Sequence, residues 1–220
     1  NNDIITNIQS SSKLKPPANA TVIDGTGKYL MPGMTDAHVH FFQSGGLYAR
    51  PDVIDLRKYQ PYNKELKWVH DNMEDLLHRY TATGITSVVD VGASFNFLQQ
   101  RDSLMTRTAL PVVSMTGPLL TTWLPPVYKD LGNEGPFTLM KTKEDAIIAV
   151  KEQLKYNADF IKIWYIVLDS NIEAGARKNY EIVKAAIEEA HKNNKRVAVH
   201  AMERITAQLA VEAGADFLVH

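Results

Sequence analysis

Met31-Pro32-Gly33-Met34-Thr35-Asp36-Ala37-His38-Val39-His40 is the stretch from which the rest of the chain is read. Pro32 fixes its own φ and Gly33 accepts any, so the pair marks a turn feeding a strand. From Met34 to His40 the residues alternate, and a strand puts every second side chain on one face. His38 and His40 are therefore expected one pleat apart and pointing the same way, with Asp36 one pleat earlier. Two imidazoles so placed can hold one divalent ion. A bare His-x-His reads first as a strand end carrying two solvated histidines, so the remainder of the chain has to decide.

Composition narrows the classes. The chain has 220 residues, 45% of them hydrophobic, enough for one large domain or part of a larger one. A net charge of −1 gives no electrostatic footprint for nucleic acid or an anionic membrane. Without cysteine there is no disulfide framework and no thiolate metal site. No apolar run approaches the length of a membrane span, and the polar N-terminus lacks the apolar core of a signal peptide. These features suit the cytoplasm, or the periplasm or exterior after removal of a signal, and choose neither.

Working outward, residues 1–30 read as the remnant of a small β-sandwich domain: Thr21-Val22-Ile23-Asp24-Gly25 is expected to be a short strand ending in a turn, too little to fold alone. Residues 31–220 read as strands alternating with helices. Strands are expected at 34–40, 85–91, 111–115, 159–165, 196–201 and 216–220. Between them, helices are expected from Asn63 as cap to Gly84, over 98–108, from a Thr142/Asp145 capping box to Tyr156, over 179–192, and over 204–213. His70 and His78 fall in the first helix and read as surface residues. The Gly- and Pro-rich segments around Tyr48 and Arg50, and around Trp123, are long for connectors and are candidate lids.

Apolar strands alternating with helices predict a parallel sheet covered by helices. The metal-type residues fall at or near strand ends: His38, His40, Lys162, His200 and His220. A (β/α)8 barrel builds its site from strand C-terminal ends. A doubly wound sheet would do likewise, but ligands from so many strands converge better in a barrel, and no glycine fingerprint follows the first strand. The fold class expected is thus α/β of the TIM-barrel type, with about six of eight units legible.

Val22-Ile23-Asp24-Gly25 followed by Pro32-Gly33-Met34-Thr35-Asp36-Ala37-His38-Val39-His40 resembles the start of the amidohydrolase superfamily barrel. Phe160-Ile161-Lys162-Ile163-Trp164, Val197-Ala198-Val199-His200-Ala201 and Phe217-Leu218-Val219-His220 match the later motifs in order. Within the superfamily the chain looks most like imidazolonepropionase- and prolidase-like members. The resemblance implies two divalent metal ions, zinc first among them. His38 and His40 would hold one, His200 and His220 the other. Lys162, carbamylated by CO₂, would bridge them. On its own, Lys162 is also compatible with an ion-paired lysine at a strand end, and either later histidine with a buried, hydrogen-bonded one.

The activity implied is hydrolysis of an amide, peptide-like or cyclic amide C–N bond by a hydroxide shared between the metals, with Lys162, His200 and His220 as its catalytic core. The substrate would be a small amide or dipeptide-like molecule. Tyr165 could bind its carboxylate or the oxyanion, or be an ordinary packing tyrosine. Arg50 could pair with a substrate carboxylate, or be solvated. The family's last motif, an Asp after strand eight, has no counterpart here. The chain is therefore expected to be the N-terminal part of a longer protein, completed by a C-terminal segment, and inactive alone. A homo-oligomer is possible. The second reading is a non-catalytic, metal-binding scaffold.

Overall fold

The computed structural model describes residues 4–42, 57–107 and 109–220. It divides into two units, 1–32 and 33–220. In the first, the described residues form one 3₁₀ turn, Ser11–Lys13, and a turn closed by Lys28 N–H on the Gly25 carbonyl (2.9 Å). Asp24 organises that turn by accepting from the amide and hydroxyl of Thr26. The strand expected at Thr21–Asp24 is absent, and Val22 and Ile23 are exposed. The physical reason is pairing: a strand persists only when its amides meet a neighbour, and no described residue offers one.

The second unit begins with β1 (Met34–Val39), α1 (Tyr62–Ala82), β2 (Ile85–Asp90), α2 (Phe95–Leu104) and β3 (Val112–Met115). There follow β4 (Leu119–Thr121), β5 (Phe137–Leu139), α3 (Lys143–Lys155), β6 (Ile161–Trp164), α4 (Ile172–Lys192), β7 (Val197–His200), α5 (Arg204–Glu212) and β8 (Phe217–Val219). Every strand pairing is parallel, in the orders β1-β2-β3 and β5-β4-β6-β7-β8. The expected strand at 111–115 is the first half of a broken one. It pauses at Thr116, Gly117 and Pro118 and resumes as β4, which pairs with β6. Amides of Thr116 and Asp159, bonded to the carbonyls of Asp90 and Met115, bridge the break, so the two sheets make one arc.

The helices form for legible reasons. Leu66, Val69, Met73 and Leu77 recur on one side of α1, and all are buried. Its N-cap is Pro61, not Asn63, whose side chain accepts only from the next amide, Lys64. Thr142 and Asp145 close a reciprocal capping box on α3. Asn171 caps α4, which starts before residue 179 and contains Gly175. A Cβ at Gly175 would lie 2.6 Å from both Asp169 Oδ2 and Val167 Cγ1, so the glycine serves close approach rather than termination. The helix expected over 98–108 lies nearer its N-terminal end, opened by the Ser94 hydroxyl accepting from Phe97 N–H.

Apolar side chains fill three layers. One lies between β1–β3 and α1 and α2, centred on Val69, Met73, Phe97 and Leu98. A second lies between β6 and β7 and helices α3, α4 and α5, centred on Ile161, Ile163, Val183, Ile187 and Val199. A smaller one, with Val91, Phe160 and Ala198, fills the concave side of the arc. Among the described residues, no helix is long and apolar enough to cross a membrane.

Candidate active site

The concave face carries four histidines and a lysine from four strands. His38 lies in β1 and His40 just beyond it. The β1–β2 register slips between Asp36 and Val39: three steps on β1 match two on β2. That is a bulge, a device that re-aims side chains at strand ends. Asp36 supports it by accepting from the His38 amide (3.3 Å). The two rings end 5.3 Å apart, edge to face. His200 closes β7, and His220 follows β8. The His220 ring lies 4.6 Å from those of both His38 and His200. The rings thus form one file, His40–His38–His220–His200.

Each of these imidazoles is held in its neutral form. Burial first, then the neighbouring cationic groups, pushes His40 down to about 4 and His200 to about 3. His38 and His220 are lowered for the same reasons, burial before Lys162. A neutral ring keeps a lone pair for a metal ion. For His40 the tautomer is fixed: Nδ1–H donates to the Gly92 carbonyl at 3.0 Å, which leaves Nε2 as the free donor atom. Gly92 has no room for a side chain, since a Cβ there would meet Leu119 at 2.5 Å and the His40 ring at 3.0 Å.

Lys162 sits in the middle of β6, 1% exposed. No described residue hydrogen-bonds to its amine. Burial lowers it to about 8, with the Asp90 charge pulling the other way. From its ordinary value of 10.5, the ammonium has lost roughly 3 kcal/mol of preference over the neutral amine. Phe160 and Trp164 flank it on the same face, and the Trp164 ring lies 6.1 Å from that of His200.

Asp90 joins the site beyond the residues the sequence motifs name. It ends β2, fully buried, and accepts from the amides of Phe41 (3.1 Å) and Gly92 (2.9 Å). Burial pushes it up to about 8 against those two donors. The signal for it was a lone carboxylate in the apolar run Val88-Val89-Asp90-Val91, at a strand's C-terminal end. Tyr165 corrects an expectation. It is fully buried on the opposite face, among the residues that α4 covers, and its hydroxyl donates to the Ala176 carbonyl at 2.5 Å. The pleat explains this, because an odd offset from Lys162 reverses the face. It packs, as the second expectation for it has it, in the layer away from the histidines.

His70 is also not the surface residue expected, for both its ring nitrogens are engaged within the fold. Trp123 lies with its ring 5.9 Å from Trp164. Tyr48 and Arg50 fall outside the described residues. Beneath the histidines, a cavity of about 570 Å³ is lined by His38, Phe160, Ala198 and His220, among others. Among the described residues no three His, Asp or Glu side chains are yet arranged around one point. The donor chemistry nevertheless fits divalent ions: four neutral imidazoles in file, and beside them a buried amine to which no described residue hydrogen-bonds.

A family model described as the amidohydrolase family matches residues 29–220. Among solved structures, the chain is similar to a prolidase complexed with N-methylphosphonate-L-proline, with a TM-score of 0.70 and 23% identity over 94% of this chain and 52% of that one. It is similar to an amidohydrolase, with a TM-score of 0.68 and 25% identity over the same shares, 94% and 52%. It is also similar to a Xaa-Pro dipeptidase with methionine bound in its active site, with a TM-score of 0.57 and 23% identity over 85% and 47%. No curated protein matches it. The chain spans about half the length of the solved structures it matches.

Proposed function

The chain belongs to the amidohydrolase family, and from that membership we propose that the whole protein hydrolyses a C–N bond in a small amide or dipeptide-like substrate with the aid of two divalent ions. The observation that carries the reading is the file of four neutral histidines beside a buried lysine whose amine no described residue hydrogen-bonds, all on the concave side of one parallel arc. His38 and His40 would hold one ion, His200 and His220 the other. When bound, the ions supply Lewis acidity toward a carbonyl and toward water.

The chain's own groups prepare for this. The Gly92 carbonyl orients the His40 ring so that Nε2 is presented. Burial keeps every imidazole unprotonated near neutral pH. The neutral Lys162 amine attacks CO₂, forming an N–C bond and releasing one proton to solvent. The carbamate so made is anionic and offers two oxygens, where an ammonium beside two cations would be repelled. Zinc suits these donors, and iron, manganese or cobalt share the chemistry. Likeness to a prolidase and a Xaa-Pro dipeptidase supports peptide-like substrates ending in proline as the first to try.

The test uses the full-length protein. Metal per chain is measured by mass spectrometry, the lysine carbamate by ¹³C NMR after exchange with labelled bicarbonate, and turnover on a panel of Xaa-Pro dipeptides and N-acyl amino acids. Two ions per chain, a carbamate resonance and turnover on at least one class are expected. Metal without turnover on any C–N substrate would favour the scaffold reading, and a metal-free, inactive protein would overturn both.

A further inference from the structure

His70 of α1 is bonded at both ring nitrogens. Nε2 lies 3.1 Å from Glu134 Oε2, and Nδ1 lies 2.6 Å from Gln100 Oε1. The Gln100 amide cannot be reversed, because its Nε2 already donates to the His70 carbonyl at 2.8 Å. Gln100 Oε1 and a carboxylate oxygen can only accept. Both ring nitrogens must therefore donate, and a ring that donates twice is an imidazolium. It lies flat on Phe97, with centroids 4.0 Å apart and planes 16° apart, as a cation over an aromatic face does. Glu134 also accepts from Asn96 (2.6 Å) and Ser94 (3.4 Å).

Glu134 belongs to the segment 122–136 between β4 and β5. Two routes of ring contact lead from that segment to the site. Tyr128 lies 6.3 Å from Phe42, which lies 5.5 Å from His40. Trp123 lies 5.9 Å from Trp164, which lies 6.1 Å from His200. Thr121 fixes the start of the segment: its hydroxyl accepts from the Trp123 amide (3.2 Å) and donates to the Trp123 carbonyl (3.0 Å). His70 and Glu134 fix its end.

We propose that His70 and Glu134 are positioning residues, an imidazolium–carboxylate clasp that pins segment 122–136 behind the metal-binding histidines and makes substrate affinity fall as pH rises. The role in affinity rests on the hydrolase reading above; the clasp does not. Deprotonated, the ring has one N–H for two acceptors, so one contact becomes a lone pair facing an oxygen. Among the described residues, Asp71 on α1 acts on His70, and Tyr62 lies near Glu134, itself within the influence of Glu65 on α1 and Tyr128 of the segment. Burial opposes charge on His70, but the bonds to Glu134 and Gln100 outweigh it and hold the ring above its ordinary 6.5. Burial likewise opposes charge on Glu134, and the bonds from His70 and Asn96 hold it below 4.5. A raised histidine stabilises fully below 6.5 and loses that contribution as pH climbs through its folded value; a depressed carboxylate stabilises fully above 4.5 and loses it as pH falls through its own. The clasp is complete between those two limits and loosens on the alkaline side.

The experiment is hydrogen exchange on the full-length, metal-loaded protein from pH 6 to pH 9, corrected for intrinsic rates, together with KM for phenylalanyl-proline over the same range. Protection of residues 127–135 should fall about tenfold relative to α3, and KM should rise about threefold or more. In Glu134→Gln, protection should be low and KM high at every pH, with metal content unchanged. Protection in the unaltered protein that does not vary with pH would overturn the clasp. Lost protection in Glu134→Gln with an unaltered KM profile would overturn the positioning role. Pronounced pH-dependent protection with no turnover on any C–N substrate would support the clasp and overturn the hydrolase reading instead.

Discussion

Lys162 of β6 and Tyr165, the residue just beyond it, stand three residues apart, both buried, and face opposite layers. Tyr165 points outward, toward the helices. Its one polar atom has its partner, the Ala176 carbonyl, and the rest of the ring packs. Lys162 points inward, its amine without a hydrogen bond among the described residues, beside the histidines. A buried hydroxyl with a partner is close to neutral for folding, whereas a buried amine without one costs several kcal/mol if charged. A chain carries such a cost only where something else uses the group. The comparison thus sets a side chain that packing accounts for beside one whose burial packing alone leaves unexplained, within four consecutive residues.

The sharpest way to break that comparison is to remove the amine. In the full-length protein, Lys162→Ala should lose most metal and about 100-fold or more of turnover, while thermal stability holds or rises. Short carboxylic acids should partly restore both, and Lys162→Arg should not, because a guanidinium stays cationic and forms no carbamate. Metal content and turnover at normal levels in Lys162→Ala would make Lys162 structural after all.

The outer face should respond oppositely. Ile163→Ala opens a cavity beneath α4 and should cost about 2–4 kcal/mol in chemical denaturation, with metal per chain unchanged. Tyr165→Phe removes the hydroxyl's bond to the Ala176 carbonyl, which keeps its amide partner within α4, and should cost about 1 kcal/mol, with turnover within about twofold of normal. A large loss of turnover in Tyr165→Phe at intact stability would return that residue to the site. Thr142→Ala, which removes half of the α3 capping box, marks the bottom of the scale: about 1 kcal/mol and no change at the histidines.

Much of this was legible in the sequence, and the failures have physical causes. The alternation of apolar strands and helices gave the arc, and the histidines and Lys162 could be read because each sits at or near the C-terminal end of an apolar run. β4 and β5 leave no mark in the sequence, since three residues in a Gly- and Pro-rich stretch carry no periodicity. The start of α4 is hidden in the sequence because Gly175 reads as a breaker, although it is there for contact with Val167 and Asp169. The face of Tyr165 was available from the pleat, because an odd offset from Lys162 forbids a shared side. Asp90 and His70 are isolated polar residues in otherwise ordinary elements, and their meaning comes from partners far along the chain, Phe41 and Glu134. Thr21–Asp24 shows the converse: a strand-like sequence stays unpaired where no described neighbour completes it.

The break between β3 and β4 has a consequence for how this molecule opens. Gln153, fully buried on α3, accepts from the Gly117 amide and the Thr116 hydroxyl and donates to the Pro118 carbonyl at 2.5 Å. A helix side chain thereby replaces the rung that the interrupted ladder lacks. The Gly117 proton is shut away from solvent by α3 rather than by a neighbouring strand, so fraying of the sheet edge will not release it. Its exchange clock is set by the lifting of a helix, although the residue itself belongs to the path of a strand.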